Sequence, residues 1–136
     1  MNTATMLGLA PLAHLVGDYL LQSDYMAQGK VERWWPAILH GIAYMLPFLV
    51  LTRAPAALLV IGGTHILIDH YRAAAYVIWA RNHLAPRRRQ RPSWAECRDN
   101  NGSAPDTPAG LAQALRIVAD NTLHMVINAA ALVWLA

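Results

Sequence analysis

The stretch Pro55–Tyr71, PAALLVIGGTHILIDHY, decides the fold. It opens on a proline suited to a first helical turn and runs to Thr64 without an ionisable group. It shows no period-2 alternation, so it reads as a helix and not as a strand. Into this apolar run are set His65 and Asp69, four residues apart and therefore on one helix face. A carboxylate at the centre of a spanning helix costs about 2.5–3.5 kcal/mol. A chain keeps such a group for a reason, and by default the reason is functional.

The same arrangement recurs on either side. An apolar run over about residues 6–22 carries His14 and Asp18, again four apart. The last run, about 111–135, carries Asp120 and His124 at the same spacing, and the run over about 36–52 carries His40. Three helices therefore each present one imidazole and one carboxylate on a single face, and the remaining helix adds a fourth imidazole. Gly62 and Gly63, just before His65, let a neighbouring helix pack close.

Composition agrees with this picture. The 136 residues (15.0 kDa) allow one domain. Apolar residues make up 56% and charged residues 14%, against about 25% charged in an ordinary soluble domain. So small a chain needs polar surface, which argues against a soluble monomer, and disorder is excluded for most of the chain. A disulfide scaffold is excluded because Cys97 stands alone. Most charges fall in two connectors, residues 23–35 and 86–110. The expected fold is all-α: a four-helix transmembrane bundle forming one integral membrane domain over residues 1–136. Its spans cover about residues 6–22, 36–52, 55–82 and 111–135. The two basic connectors face the cytoplasm, which places both termini on the outer side. The first run has no Lys or Arg before its apolar core and reads as a retained span, not a cleaved leader. Residues 86–110, rich in Pro, Gly, Asn and Arg, read as a mobile cytoplasmic loop. Its Arg87–Arg91 run suits anionic lipid headgroups better than nucleic acid.

Imidazole nitrogen with carboxylate oxygen suits borderline or hard divalent ions: zinc first, with iron or manganese as alternatives. The expected metal ligands are His14, Asp18, His40, His65, Asp69, Asp120 and His124. That is more than one closed zinc site uses, so it fits an open site backed by further carboxylates, or two ions sharing ligands. Asn121 and Asn128 read as hydrogen bonders behind the ligands, Asn128 extending the Asp120–His124 stripe by four. Three other uses compete: interhelical hydrogen bonding, a proton relay and haem ligation by two histidines.

The segment His14-Leu-Val-Gly-Asp18-Tyr-Leu-Leu-Gln22-Ser-Asp24-Tyr-Met-Ala27, followed by Lys30, resembles the opening signature of a small bacterial and phage integral-membrane family, domain of unknown function 3307. His40, the His65–Asp69 segment and the Asp120–His124 pair are similar to its later pattern. The resemblance draws attention to Gln22, Asp24 and Lys30 at the cytoplasmic mouth. It also marks Arg72, where the family often has a lysine, and Asn121, where it has a glutamine. It implies a place in the bacterial cytoplasmic membrane. A looser likeness is to bacterial membrane-bound metal-dependent hydrolases.

Two functions follow as expectations. The first is a metal-dependent hydrolase acting on a lipid-like or membrane-delivered substrate, with Asp18, Asp69 and Asp120 as ligands or general base. The second is a non-catalytic membrane protein in which the cluster serves structurally: an ion or proton pathway, a transporter subunit or a phage interaction protein. Membrane lipids are the expected partners. A homo-oligomer fits either function, and nucleic acid fits neither.

Overall fold

The computed structural model describes residues 1–85 and 91–136, and helices are the only regular elements among them. The arginines Arg87, Arg88 and Arg89 of the basic run lie outside the described residues. Helix α1 (Thr3–Leu15) starts where Asn2 caps the backbone N–H of Thr5 at 2.8 Å. It leads into a widened, π-type turn at Val16–Leu20. A short helix α2 (Asp24–Gly29), capped by Ser23, precedes α3 (Trp34–Leu51) and α4 (Pro55–His70). Next come α5 (Ala73–Leu84), the one-turn α6 (Trp94–Cys97) with a 3-10 turn at Arg98–Asn100, and the long α7 (Ala109–Trp134).

Of the four expected spans, two are helices long and apolar enough to cross a membrane, α3 with 18 residues and α7 with 26. Helix α4 is apolar but has 16 residues, about 24 Å against the roughly 30 Å of a hydrocarbon core. The expected third span over 55–82 is broken. Tyr71 ends α4, and Arg72 takes a left-handed conformation (φ 53°) before α5 begins. That conformation is costly for a residue with a side chain.

The chain forms two compact units: residues 1–71 with 124–136, and residues 72–123. In the first, Met6, Ala10 and Ala13 of α1, Tyr44, Phe48 and Leu51 of α3, Ile61 of α4, and Ala131 and Leu132 of α7 make a common apolar core. Helices α3 and α4 cross closely at glycines. A Cβ on Gly41 would run into Ile66, and one on Gly62 into Met45, whereas Gly63 faces open space. Of the two expected close-packing glycines, only Gly62 has that role.

In the second unit, the segment expected to be a mobile loop is folded from residue 92 onward. Ser93 and Glu96 form a reciprocal cap on α6, and the Ser93 N–H and hydroxyl hold the Glu96 carboxyl below its ordinary range. Asn100 donates to the carbonyls of Ala104 and Thr107, both at 2.9 Å. Arg72 reaches Asn101 at 2.8 Å, and Trp79 donates to the Pro92 carbonyl. Gly102, at φ 80°, lies against the Ala75 backbone where no side chain fits. Cys97 is buried.

Candidate metal centre

The first unit brings four imidazoles and two carboxylates together inside its core. His14 stands on the last turn of α1 and Asp18 on the widened turn that follows; His40 is on α3, His65 and Asp69 on α4, and His124 on α7. His14, His40, His65 and His124 are at most 1% exposed, and Asp69 is 6% exposed. The side chain of Asp18 is the most open of the group at 11%.

Four atoms converge: His40 Nε2, His65 Nε2, Asp18 Oδ1 and Asp69 Oδ2. The two nitrogens are 2.9 Å apart. Asp18 Oδ1 lies 3.4 Å from each nitrogen, and Asp69 Oδ2 lies 3.3 Å from His40 and 3.2 Å from His65. Donor atoms about 2.0–2.1 Å from a tetrahedral centre sit about 3.3–3.4 Å from one another. With both carboxyls ionised, the two Nε2 atoms supply at most two donors for the five close contacts among these four atoms. Asp18 Oδ1, His40 Nδ1 and His65 Nδ1 are buried with no hydrogen-bond partner.

The outer oxygens of the two carboxylates face the other two imidazoles. His14 Nε2 is 3.6 Å from Asp18 Oδ2, and His124 Nε2 is 3.4 Å from Asp69 Oδ1. Behind His14, the Tyr44 hydroxyl sits 2.9 Å from Nδ1 and accepts from the Asn128 amide at 2.6 Å. The Tyr44 ring stacks on His65 with centroids 3.6 Å apart.

Lys30, at the end of α2, reaches into this cluster. Its Nζ lies 2.6 Å from Asp69 Oδ2 and 2.9 Å from Gln22 Oε1. A ring nitrogen of the next residue, His70 Nδ1, donates to the Lys30 carbonyl at 2.8 Å, and the His70 ring stacks on Trp34. The end of α4 thus grips Lys30 by both side chain and backbone. With Lys30 counted, the two carboxylates leave one negative charge in the buried cluster.

Sequence reasoning placed His14, Asp18, His40, His65, Asp69 and His124 in one cluster, with Gln22, Lys30 and Asn128 around it, and the structure brings these nine together. It does not bring Asp24 or Arg72 to them: Asp24 is exposed in the first turn of α2, and Arg72 bonds Asn101 in the second unit. Asp120 lies one turn before His124 on α7, in the residues of the second unit, and Asn121 donates back to the Ile117 carbonyl of its own helix. Tyr44 was missed. Tyr44 follows His40 by four, the same step that marks the other pairs.

A family model described as protein of unknown function (DUF3307) matches residues 6–127. The chain belongs to this family. The matched range of this DUF3307 chain holds all four imidazoles, both carboxylates, Gln22, Lys30 and Tyr44, and stops one residue before Asn128. No curated protein and no solved structure matches it.

Proposed function

We propose that this DUF3307 protein binds a divalent transition-metal ion, zinc before iron or manganese, inside a helical membrane domain. His40, His65, Asp18 and Asp69 are the ligands. The observation that carries the reading is that His40 Nε2 and His65 Nε2, 2.9 Å apart, each lie 3.2–3.4 Å from both Asp18 Oδ1 and Asp69 Oδ2. An ion at their centre supplies the attraction that mutual hydrogen bonds do not, and offsets the buried negative charge.

Three features support a membrane setting. Helices α3 and α7 are long and apolar enough to span. The first unit also has its polarity reversed: imidazoles, Asp69 and Asn128 are inside, while Leu12, Leu46, Leu59 and Val126 are each more than half exposed. So much outward apolar surface on so small a chain needs lipid or a partner to cover it. The basic connectors favour a cytoplasmic position for the Lys30 mouth, in keeping with a bacterial inner membrane. Helices α1, with its widened turn, and α4 supply the two shorter spans of this reading.

Hydrolysis is the finer reading. A metal ion would supply an activated water and charge stabilisation. Four protein ligands make a closed site, whereas a catalytic zinc keeps a position open. The position to open is that of Asp18, the most exposed ligand and the one carried on a π-type turn, a feature frequent at functional sites. Lys30 at the mouth suits a substrate with an anionic group, such as a lipid phosphoester.

One observation favours a second reading. Lys30 already sits on Asp69 Oδ2, so a proton shared by His40 and His65 would neutralise the cluster without any metal. The protein would then use it as a polar lock between helices or as part of a proton path.

Metal analysis of the purified full chain separates the two. The metal reading expects about one tightly held divalent ion per chain, lost in His65→Ala and in Asp69→Asn. Folded wild-type protein that holds no transition metal after zinc loading and desalting would rule it out.

A further inference from the structure

The ligand set above uses one oxygen of each carboxylate and two of the four buried imidazoles. Each unused oxygen faces one of the two remaining imidazoles. Asp18 Oδ2 faces His14 Nε2 at 3.6 Å, and Asp69 Oδ1 faces His124 Nε2 at 3.4 Å. Both imidazoles are at most 1% exposed. Asp18 and Asp69 therefore each stand between the inner imidazole pair and one imidazole of the outer pair. A carboxylate placed this way is the usual bridge between two cations about 3.5–4 Å apart.

A second observation bears on His14. Metal-bound histidines almost always have their other ring nitrogen anchored. The Nδ1 of His14 is anchored by the Tyr44 hydroxyl at 2.9 Å, and Tyr44 is itself fixed by Asn128 at 2.6 Å. This aims Nε2 at the outer oxygen of Asp18. The Nδ1 atoms of His40 and His65 have no such support. The best-oriented imidazole of the cluster is thus one that a single-ion site leaves unused.

We infer that the protein holds a pair of divalent transition-metal ions. Asp18 and Asp69 bridge them, His40 and His65 complete one ion's ligands, and His14 and His124 complete the other's. This rests on the metal reading above and extends it. With Lys30 counted, two divalent ions leave an excess of positive charge over the two carboxylates, so the loaded pair takes anionic ligands as well. Asp120, one turn from His124 on the same helix, is a further source of negative charge on that element.

The test is a manganese(II) titration of the metal-free full chain in detergent, with a low concentration of inorganic phosphate to supply the anion. It is read by bound-metal analysis and electron paramagnetic resonance. The expected result is saturation at about two ions per chain, with a spectrum in which spin coupling replaces the hyperfine pattern of an isolated ion. His124→Ala, with its helicity checked by circular dichroism, is expected to saturate at about one ion and to restore the isolated-ion pattern. Saturation of wild-type protein at one ion, or at two uncoupled ions, overturns the pair while leaving the single site standing. No bound ion at all overturns both. If His124→Ala does not fold, the wild-type stoichiometry and coupling decide the matter.

Discussion

Lys30 Nζ and Asp69 Oδ2 lie 2.6 Å apart, joining the mouth segment to α4 across 39 positions of sequence. The same oxygen is 3.2 Å from His65 and 3.3 Å from His40. One carboxylate oxygen thus serves both the lysine and the inner imidazole pair, which makes the lysine a probe of how the cluster's charge is balanced.

Lys30→Met removes the ammonium bonded to Asp69. Breaking a fully buried pair costs about 3–5 kcal/mol, and because Lys30 is partly exposed the loss should fall at or below the lower end. The variant is expected to unfold earlier than wild type in chelator. Zinc at about a hundred times its dissociation constant should return about 2.7 kcal/mol. Thermal unfolding in detergent, with and without zinc, checks both. An equal deficit in the two conditions would mean that no ion takes over the neutralising role.

Acid should release the metal. A histidine ligand must be unprotonated, and ordinary imidazoles gain their proton near pH 6.5. Protons compete with the ion, so affinity is highest above neutrality and falls as the pH drops toward 5. With two histidine ligands, the loss approaches about a hundredfold per pH unit once both imidazoles are protonated in the free protein. Competition with a chromophoric chelator across that range measures it. A flat profile would point to a cluster that holds no ion through its imidazoles.

Tyr44→Phe leaves the Asn128 amide buried without its acceptor and His14 without its anchor. The expected cost is about 1–3 kcal/mol. Asn128→Leu alone should also destabilise. The double variant should be closer to wild type than the sum of the single losses, because it removes donor and acceptor together. Additive losses would show that the bond between the two is not the source of the effect.

Gly17→Ala tests the packing behind Asp18. A Cβ there would meet Tyr44 Cδ2 at 2.6 Å and the Tyr44 backbone at 3.2 Å. Tyr44 is buried and stacked on His65, so it has little freedom to yield. A loss of about 1–3 kcal/mol is expected, together with weaker metal retention. Gly8→Ala on α1 meets nothing within 4 Å and should be neutral or slightly stabilising. Similar behaviour of the two variants would contradict the close approach.

Cys97 is 2% exposed and donates its backbone N–H to the Ser93 carbonyl. A maleimide should label it slowly in the native protein and rapidly in denaturant. Rapid native labelling would mean that residues 92–108 are not folded as described.

The cluster was legible because three pairs repeat one spacing inside apolar helices, where each charge stands out. Tyr44 was not, since a tyrosine in an apolar run reads as core or interface and only its partners show that its hydroxyl is used. The break at Arg72 carries no local sign. Ala73-Ala-Ala favours helix, and the left-handed arginine is held by Asn101, 29 positions away. Residues 92–108 were misread because their prolines, glycine and asparagines suit a loop. Ser93-Trp-Ala-Glu96 was a readable capping signature that gave the start of α6.

In the turn at Val16–Leu20, the backbone N–H of Leu21 bonds back five residues to the carbonyl of Val16. An ordinary helix would close over four. The turn therefore contains one residue more than an α-helix needs, and Asp18 owes its bearing to that extra unit. Deleting any residue between Val16 and Leu20 would restore uniform winding and swing the chain beyond by about 100°. In this stretch the number of residues matters as much as their identity.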